Sequence, residues 1–163
     1  MMQPSSPGIG ADSPFWRQFP ARPLIIAHRG YRACYPENTL CGFAHSLGRC
    51  DMIELDVQLS RDGEVVVFHD DDLDRTSNGA AVAQELGLTT LRLGDWSLAQ
   101  LRRLDAGSWF LAVDPFAPLA RGLITRDQLL ALMPQPIPTL CEVLAWAKTH
   151  ALPLNVEIKD MGQ

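Results

Sequence analysis

Met52-Ile53-Glu54-Leu55-Asp56-Val57-Gln58-Leu59 alternates in period two, the period of a strand whose successive side chains leave by opposite faces. Ile53, Leu55 and Val57 leave by one face, where helices would cover them. Glu54 and Asp56 leave by the other. Upstream, Leu24 to Ala27 is a short continuous apolar run, the mark of a strand buried on both faces. Helical spacing follows at Leu40, Phe43, Ala44 and Leu47, just after Asn38, a good N-cap residue type. Downstream, the Asp62-Gly63 turn signal sets off a further apolar run, Val65 to Phe68.

Farther along, Thr139-x-x-Glu142 reads as a capping box opening a helix, with Leu140, Val143, Leu144 and Ala147 on one face. Pro153 stops that helix, and Leu154 to Ile158 is a last strand-like run. Glu157 and Lys159 share one of its faces, with Val156 and Ile158 opposite. Residues 71–137 break the pattern with an acidic run, polar loops, a helix around Leu98 to Leu104 and a Pro-punctuated stretch, and are expected to be an insertion. Residues 1–22, rich in Pro, Ser and Gly, are expected to be an extended or disordered tail, leaving 23–163 as the domain. The order β-α-β-β-insert-α-β predicts an α/β fold with a parallel sheet covered on both faces.

Composition narrows the function. The chain has 163 residues, 47% apolar and 20% charged, enough for one globular domain with a core and unlike a disordered or coiled-coil chain. Its formal charge of −5, with arginines scattered along the chain, argues against nucleic acid or acidic lipid as partners. No run of about 18 apolar residues occurs, so no spanning helix is expected. Cys34, Cys41, Cys50 and Cys141 show no zinc spacing and read as free thiols of a reducing compartment. With no signal-peptide pattern at the start, the expected address is the cytoplasm.

Charged groups on an inward strand face are costly unless paired or bound to an ion. Glu54, Asp56 and Glu157, from two strands, would together suit a hard divalent cation, Mg²⁺ or Ca²⁺. His28 and His69, each at the end of an apolar run, are natural acid and base groups because a free imidazole titrates near about 6.5. Arg29 and Lys159 add fixed positive charge suited to a phosphate. Other candidates have plainer explanations. Asp70-Asp71-Asp72 reads as a solvated turn, His45 and His150 as structural, and Trp96, Trp109 and Phe110 as core.

His28-Arg29-Gly30 followed after five residues by Pro36-Glu37-Asn38-Thr39 resembles the opening signature of the glycerophosphodiester phosphodiesterases. Ile53 to Gly63, then Val67-Phe68-His69-Asp70 and Leu73 to Gly79, are similar to that family's next block. Pro138-Thr139-Leu140-x-Glu142-Val143-Leu144 and Glu157-Ile158-Lys159 match two more elements in order, so the resemblance runs from about Arg22 to Asp160. It implies a TIM (β/α)₈ barrel with a small insertion, of which this chain would be the N-terminal portion. It also implies His28 and His69 as acid and base, Glu54, Asp56 and Glu157 on the divalent metal, and Arg29 and Lys159 on the phosphate. Glu37 and Asn38 would orient His28 and the first loop. The reaction so implied is hydrolysis of a small glycerophosphodiester to glycerol 3-phosphate and an alcohol, the substrate's own hydroxyl attacking first. The form of the motifs is most similar to the cytosolic bacterial enzymes.

Length departs from that pattern, because a complete barrel takes about 250 residues. The expectation is a truncated chain, or one that completes itself by association through exposed barrel edges, with weak or no activity as isolated. Two alternatives stand beside the phosphodiesterase: a phospholipase D-like enzyme acting on lipid phosphodiesters, and an inactive barrel fragment that binds phosphate or a partner.

Overall fold

The computed structural model describes residues 14–19 and 21–159. Most of the expected N-terminal tail lies outside those residues. The described part of it opens with a one-turn helix, α1 (Pro14–Arg17). Phe15, Trp16 and Phe19 pack edge to edge there, with Phe15 and Trp16 ring centroids 4.9 Å apart.

Strand β1 (Ile26–His28) leads to α2 (Leu40–Ala44), and β2 (Met52–Leu59) turns directly into β3 (Val65–Val67). Next come α3 (Gly79–Leu86), a 3₁₀ turn at Leu93–Asp95, α4 (Leu98–Leu101), α5 (Trp109–Val113) and α6 (Arg126–Leu130). Helix α7 (Leu140–Thr149) and strand β4 (Leu154–Ile158) follow. β2 is the centre of the sheet. β1 and β4 flank it in parallel, pairing Ala27 with Ile53 and Asp56 with Glu157.

The wholly parallel sheet expected from the sequence is corrected at β3, which runs antiparallel to β2 with Val57 opposite Val67. A connection of five residues can close a hairpin but cannot make the crossover that a parallel neighbour needs. Coverage is also one-sided. Ile53, Leu55 and Val57 pack with Phe43 of α2 and Val143 of α7, so both helices lie on the same face. The other face carries Glu54, Asp56 and Gln58.

Residues 70–137 add no strand to the sheet. They wrap a core of their own, Leu73, Leu93, Trp96, Leu101 and Ile137, which Val66 and Phe68 join from the end of the hairpin. A second cluster, Phe110, Leu111, Ile124 and Leu129, packs against Tyr35.

Three local expectations are corrected. The upstream run is not buried on both faces: Ile25 and Ile26 are 56% and 44% exposed, because among the described residues β1 is paired only to β2. Thr39, not Asn38, caps α2, its hydroxyl accepting from Gly42 N–H, while Asn38 sits at φ 54° with its side chain engaged elsewhere. On α7 the capping box forms as expected, but Leu144 lies outside the buried stripe of Val143 and Ala147.

Candidate active site

Parallel pairing brings the chemistry to the C-terminal ends of β1, β2 and β4, where His28 lies opposite Glu54 and Asp56 opposite Glu157. Glu54 and Asp56 project from β2 and Glu157 from β4, and one carboxylate oxygen from each lies within 4.8 Å of the others. Asp56 has no solvent exposure, whereas the Glu157 side chain is about half exposed. Lys159 follows β4. Its ammonium lies 2.9 Å from Asp56 Oδ1 and also donates to Glu157.

Arg29 enters from the turn after β1. Its N–H donates to Glu54 Oε2 at 2.8 Å, its Nη1 to Glu37 Oε1 at 3.0 Å, and its Nε lies 3.3 Å from Asp56 Oδ2. The turn is tight and left-handed, with Arg29 at φ 58° and Gly30 at φ 82°. A Cβ on Gly30 would meet Phe43 Cδ1 at 2.9 Å and the Gly42 carbonyl carbon at 3.0 Å, so both conformation and space require glycine. Arg29 has no such excuse, and its left-handed backbone is local strain held by these contacts.

Asn38 holds Asp56: Nδ2 donates to Asp56 Oδ2 at 2.8 Å, and Asn38 N–H donates to the Arg29 carbonyl at 3.1 Å. Glu37 and Asn38 are the residues expected to orient His28 and the first loop. Glu37 grips Arg29 and Arg75, and Asn38 grips Asp56. His28 stands half exposed, its Nε2 3.8 Å from Glu54 Oε2, beyond hydrogen-bond length. His69 sits past the end of β3 with Nδ1 on Asp70 Oδ1.

The charges fall out of this arrangement. Burial pushes the Glu54 carboxyl above its usual range, helped by Asp56 and Glu157 and opposed by Arg29. Burial also works to raise Asp56, but the hydrogen bonds from Asn38 and Lys159 and the Arg29 charge outweigh it and hold Asp56 low. His28 is held below its ordinary value by burial and then by the Arg32 and Arg29 charges. Glu54 Oε1 is a buried oxygen without a hydrogen bond, and Asp56 Oδ1 is met by the Lys159 ammonium. A buried oxygen left unbonded costs free energy unless a cation meets it. An all-oxygen donor set suits a hard divalent ion.

Two contributors escaped the sequence reading. Asp70, taken as part of a solvated turn, instead bonds His69 and Arg75. Arg75, never singled out, bridges Asp70 to Glu37, which lies 38 positions upstream of Arg75, a link no local pattern could signal. Asp70 alone had a signal, its place directly after His69. His45 stacks on Tyr35, His150 accompanies the end of α7, and Trp96 and Phe110 are fully buried, all structural positions. The four cysteines form no disulfide.

Comparison with known proteins extends the picture. The model of the glycerophosphoryl diester phosphodiesterase family matches residues 28–163. YhdW of Bacillus subtilis is 46% identical over 142 residues, which is 85% of this chain and 50% of that protein. The crystal structure of a glycerophosphodiester phosphodiesterase from Agrobacterium tumefaciens superposes with a TM-score of 0.62 at 31% identity, over 83% of this chain and 47% of the other. An Oleispira antarctica phosphodiesterase, solved in complex with the product sn-glycerol-3-phosphate, gives 0.61 at 32% identity, over 84% and 44%. These are TIM-barrel proteins, and the chain spans about half the length of the relatives it matches. Its α/β fold is the N-terminal portion of that barrel. No described helix is long and apolar enough to cross a membrane.

Proposed function

Since the chain belongs to the glycerophosphoryl diester phosphodiesterase family, we propose that it carries the ion-, phosphate- and proton-handling residues for hydrolysis of small glycerophosphodiesters. The observation that supports this most is the approach of three carboxylates from two strands to within 4.8 Å, with the buried Glu54 Oε1 left without a hydrogen bond. Glu54, Asp56 and Glu157 would hold the divalent cation, Mg²⁺ or Ca²⁺. When bound, that ion supplies Lewis-acid polarisation of a phosphoryl oxygen.

A phosphodiester is anionic and repels a nucleophile, so its charge must be met before attack. Arg29 and Lys159 do this from either side of Asp56. His28, held neutral near pH 7 by burial and by Arg32 and Arg29, is fitted to take a proton from an attacking hydroxyl. His69 is fitted to return one to the leaving alcohol oxygen. With the substrate's own glycerol hydroxyl attacking first and water opening the cyclic ester, the products are glycerol 3-phosphate and an alcohol. The unpaired cysteines favour the cytoplasm as the site of this work.

Calorimetric titration with Mg²⁺ and Ca²⁺, alongside a glycerophosphocholine hydrolysis assay, tests the reading. Glu54→Gln and Glu157→Gln are expected to weaken cation binding by at least about tenfold, and His28→Ala to remove turnover while sparing cation binding. Unchanged cation affinity in both glutamine variants sinks the reading.

A further inference from the structure

The proton-handling role assigned to His69 leaves open which ring nitrogen meets the substrate, and its surroundings answer that. His69 Nδ1 is hydrogen-bonded to Asp70 Oδ1. Asp70 in turn receives Arg75 twice, from Nε on Oδ2 and from Nη2 on Oδ1 at 3.0 Å. The same guanidinium donates Nη2 to Glu37 Oε1 at 2.7 Å, and that oxygen also accepts Arg29 Nη1 at 3.0 Å. Arg29 Nε then lies 3.3 Å from Asp56. Charges alternate along the chain of contacts from Asp70 to the carboxylate cluster.

The backbone is pinned as well. Gln58, buried on β2 two residues beyond Asp56, reaches the carbonyl oxygens of Phe68, His69 and Asp70 with Nε2 at 3.2, 2.9 and 2.8 Å. Burial works to raise the Asp70 carboxyl, but Arg75 and His69 outweigh it and hold it low. An ionised carboxylate can only accept, so the nitrogen facing it must carry the hydrogen.

We propose that Asp70, clamped by Arg75, is a positioning residue that holds His69 as its Nδ1–H tautomer, so that Nε2 is the nitrogen that exchanges protons with the substrate. Arg75 does more than neutralise Asp70. Its planar fork spans two carboxylates at once, so the orientation of His69 and the placement of Arg29 share one support. This rests on the phosphodiesterase reading for the role of His69, but not for the tautomer.

Long-range ¹H–¹⁵N spectra of the imidazoles in the 163-residue chain, read together with glycerophosphocholine kinetics, test it. Wild-type His69 is expected to carry its hydrogen on Nδ1. Asp70→Asn, whose amide can donate, moves the hydrogen to Nε2, and Arg75→Ala gives a mixture. Both lower kcat by about 10- to 100-fold with a smaller change in KM. Arg75→Lys keeps the charge without the fork and behaves like Arg75→Ala, with Arg75→Gln as the substitute if Arg75→Ala does not fold. A merely structural contact would lower stability without changing the tautomer of the folded protein. Nε2–H in the wild type, or a tautomer and kcat indifferent to Asp70→Asn and Arg75→Ala, overturns the proposal. His69→Ala with undiminished hydrolysis overturns instead the role given to His69.

Discussion

Asn38 holds a left-handed backbone at φ 54° while its amide donates to the buried Asp56 carboxylate, so one residue serves a turn and a charge together. Asparagine tolerates that conformation better than other residues with a side chain, and alanine there costs about 1–2 kcal/mol more than glycine. Losing a hydrogen bond to a buried charged group costs a further ~1–3 kcal/mol. Asn38→Gly is therefore expected to destabilise through the lost amide alone, and Asn38→Ala by about 1–2 kcal/mol more. Urea unfolding of the two variants separates the contributions, and equal losses would mean that the backbone there is not strained. That the acids share a face was legible, because Glu54 and Asp56 are two apart and period two admits one geometry. The job of Asn38 was not, since a cap-type residue beside Thr39 fits the helix start equally well. Arg75 was beyond reach for a different reason: its partners meet it only after residues 70–79 have folded back over the first loop.

At the scale of elements, α7 carries the region between the insertion and β4, and its start is stabilised by charge. Glu142 Oε2 accepts from Thr139 N–H at 2.8 Å and from its hydroxyl at 3.0 Å, and also receives Arg102. Burial works to raise the Glu142 carboxyl, but Arg102 and Thr139 outweigh it and leave it below the usual carboxylate range. A carboxyl lowered on folding stabilises the protein fully above its unfolded value and loses that contribution as pH falls through the folded one. Glu142→Gln keeps the box without the charge. Wild type should therefore exceed it in stability at neutral pH, and the gap should close on acidification. Glu142→Ala, which loses the box as well, should cost about 1 kcal/mol more at neutral pH. Thermal unfolding at a series of pH values checks both, and a gap that widens on acidification contradicts the argument. The box was plain in the sequence because capping is local. The direction of β3 was less so: an apolar run after a turn signal fits a hairpin or a new parallel unit, and only the shortness of the connection decides.

At the scale of the whole molecule, the sheet has apolar positions left open at both sides. Ile25 and Ile26 lead into and begin β1, and Ile158 ends β4 with 71% of its surface exposed. Among the described residues, β1 and β4 each pair with β2 alone. In the barrels it resembles, strands continue around from such edges, and a closed barrel has none. The Leu24–Ala27 run misled for this reason, since its composition suits a strand covered on all sides. Unpaired parallel edges beside exposed isoleucines invite pairing with another chain. The 163-residue chain is therefore expected to self-associate with rising concentration in sedimentation velocity, and Ile26→Lys with Ile158→Lys to shift it toward monomer. Both positions lie off the buried core, so the double variant should keep the wild-type circular dichroism spectrum. The edge argument also fixes what must not change: neither isoleucine contributes an oxygen to the carboxylate cluster, so the Mg²⁺ titration of the double variant should match that of wild type. A chain that stays monomeric at every concentration, or a double variant that associates as strongly as wild type, would locate the contact elsewhere than these edges.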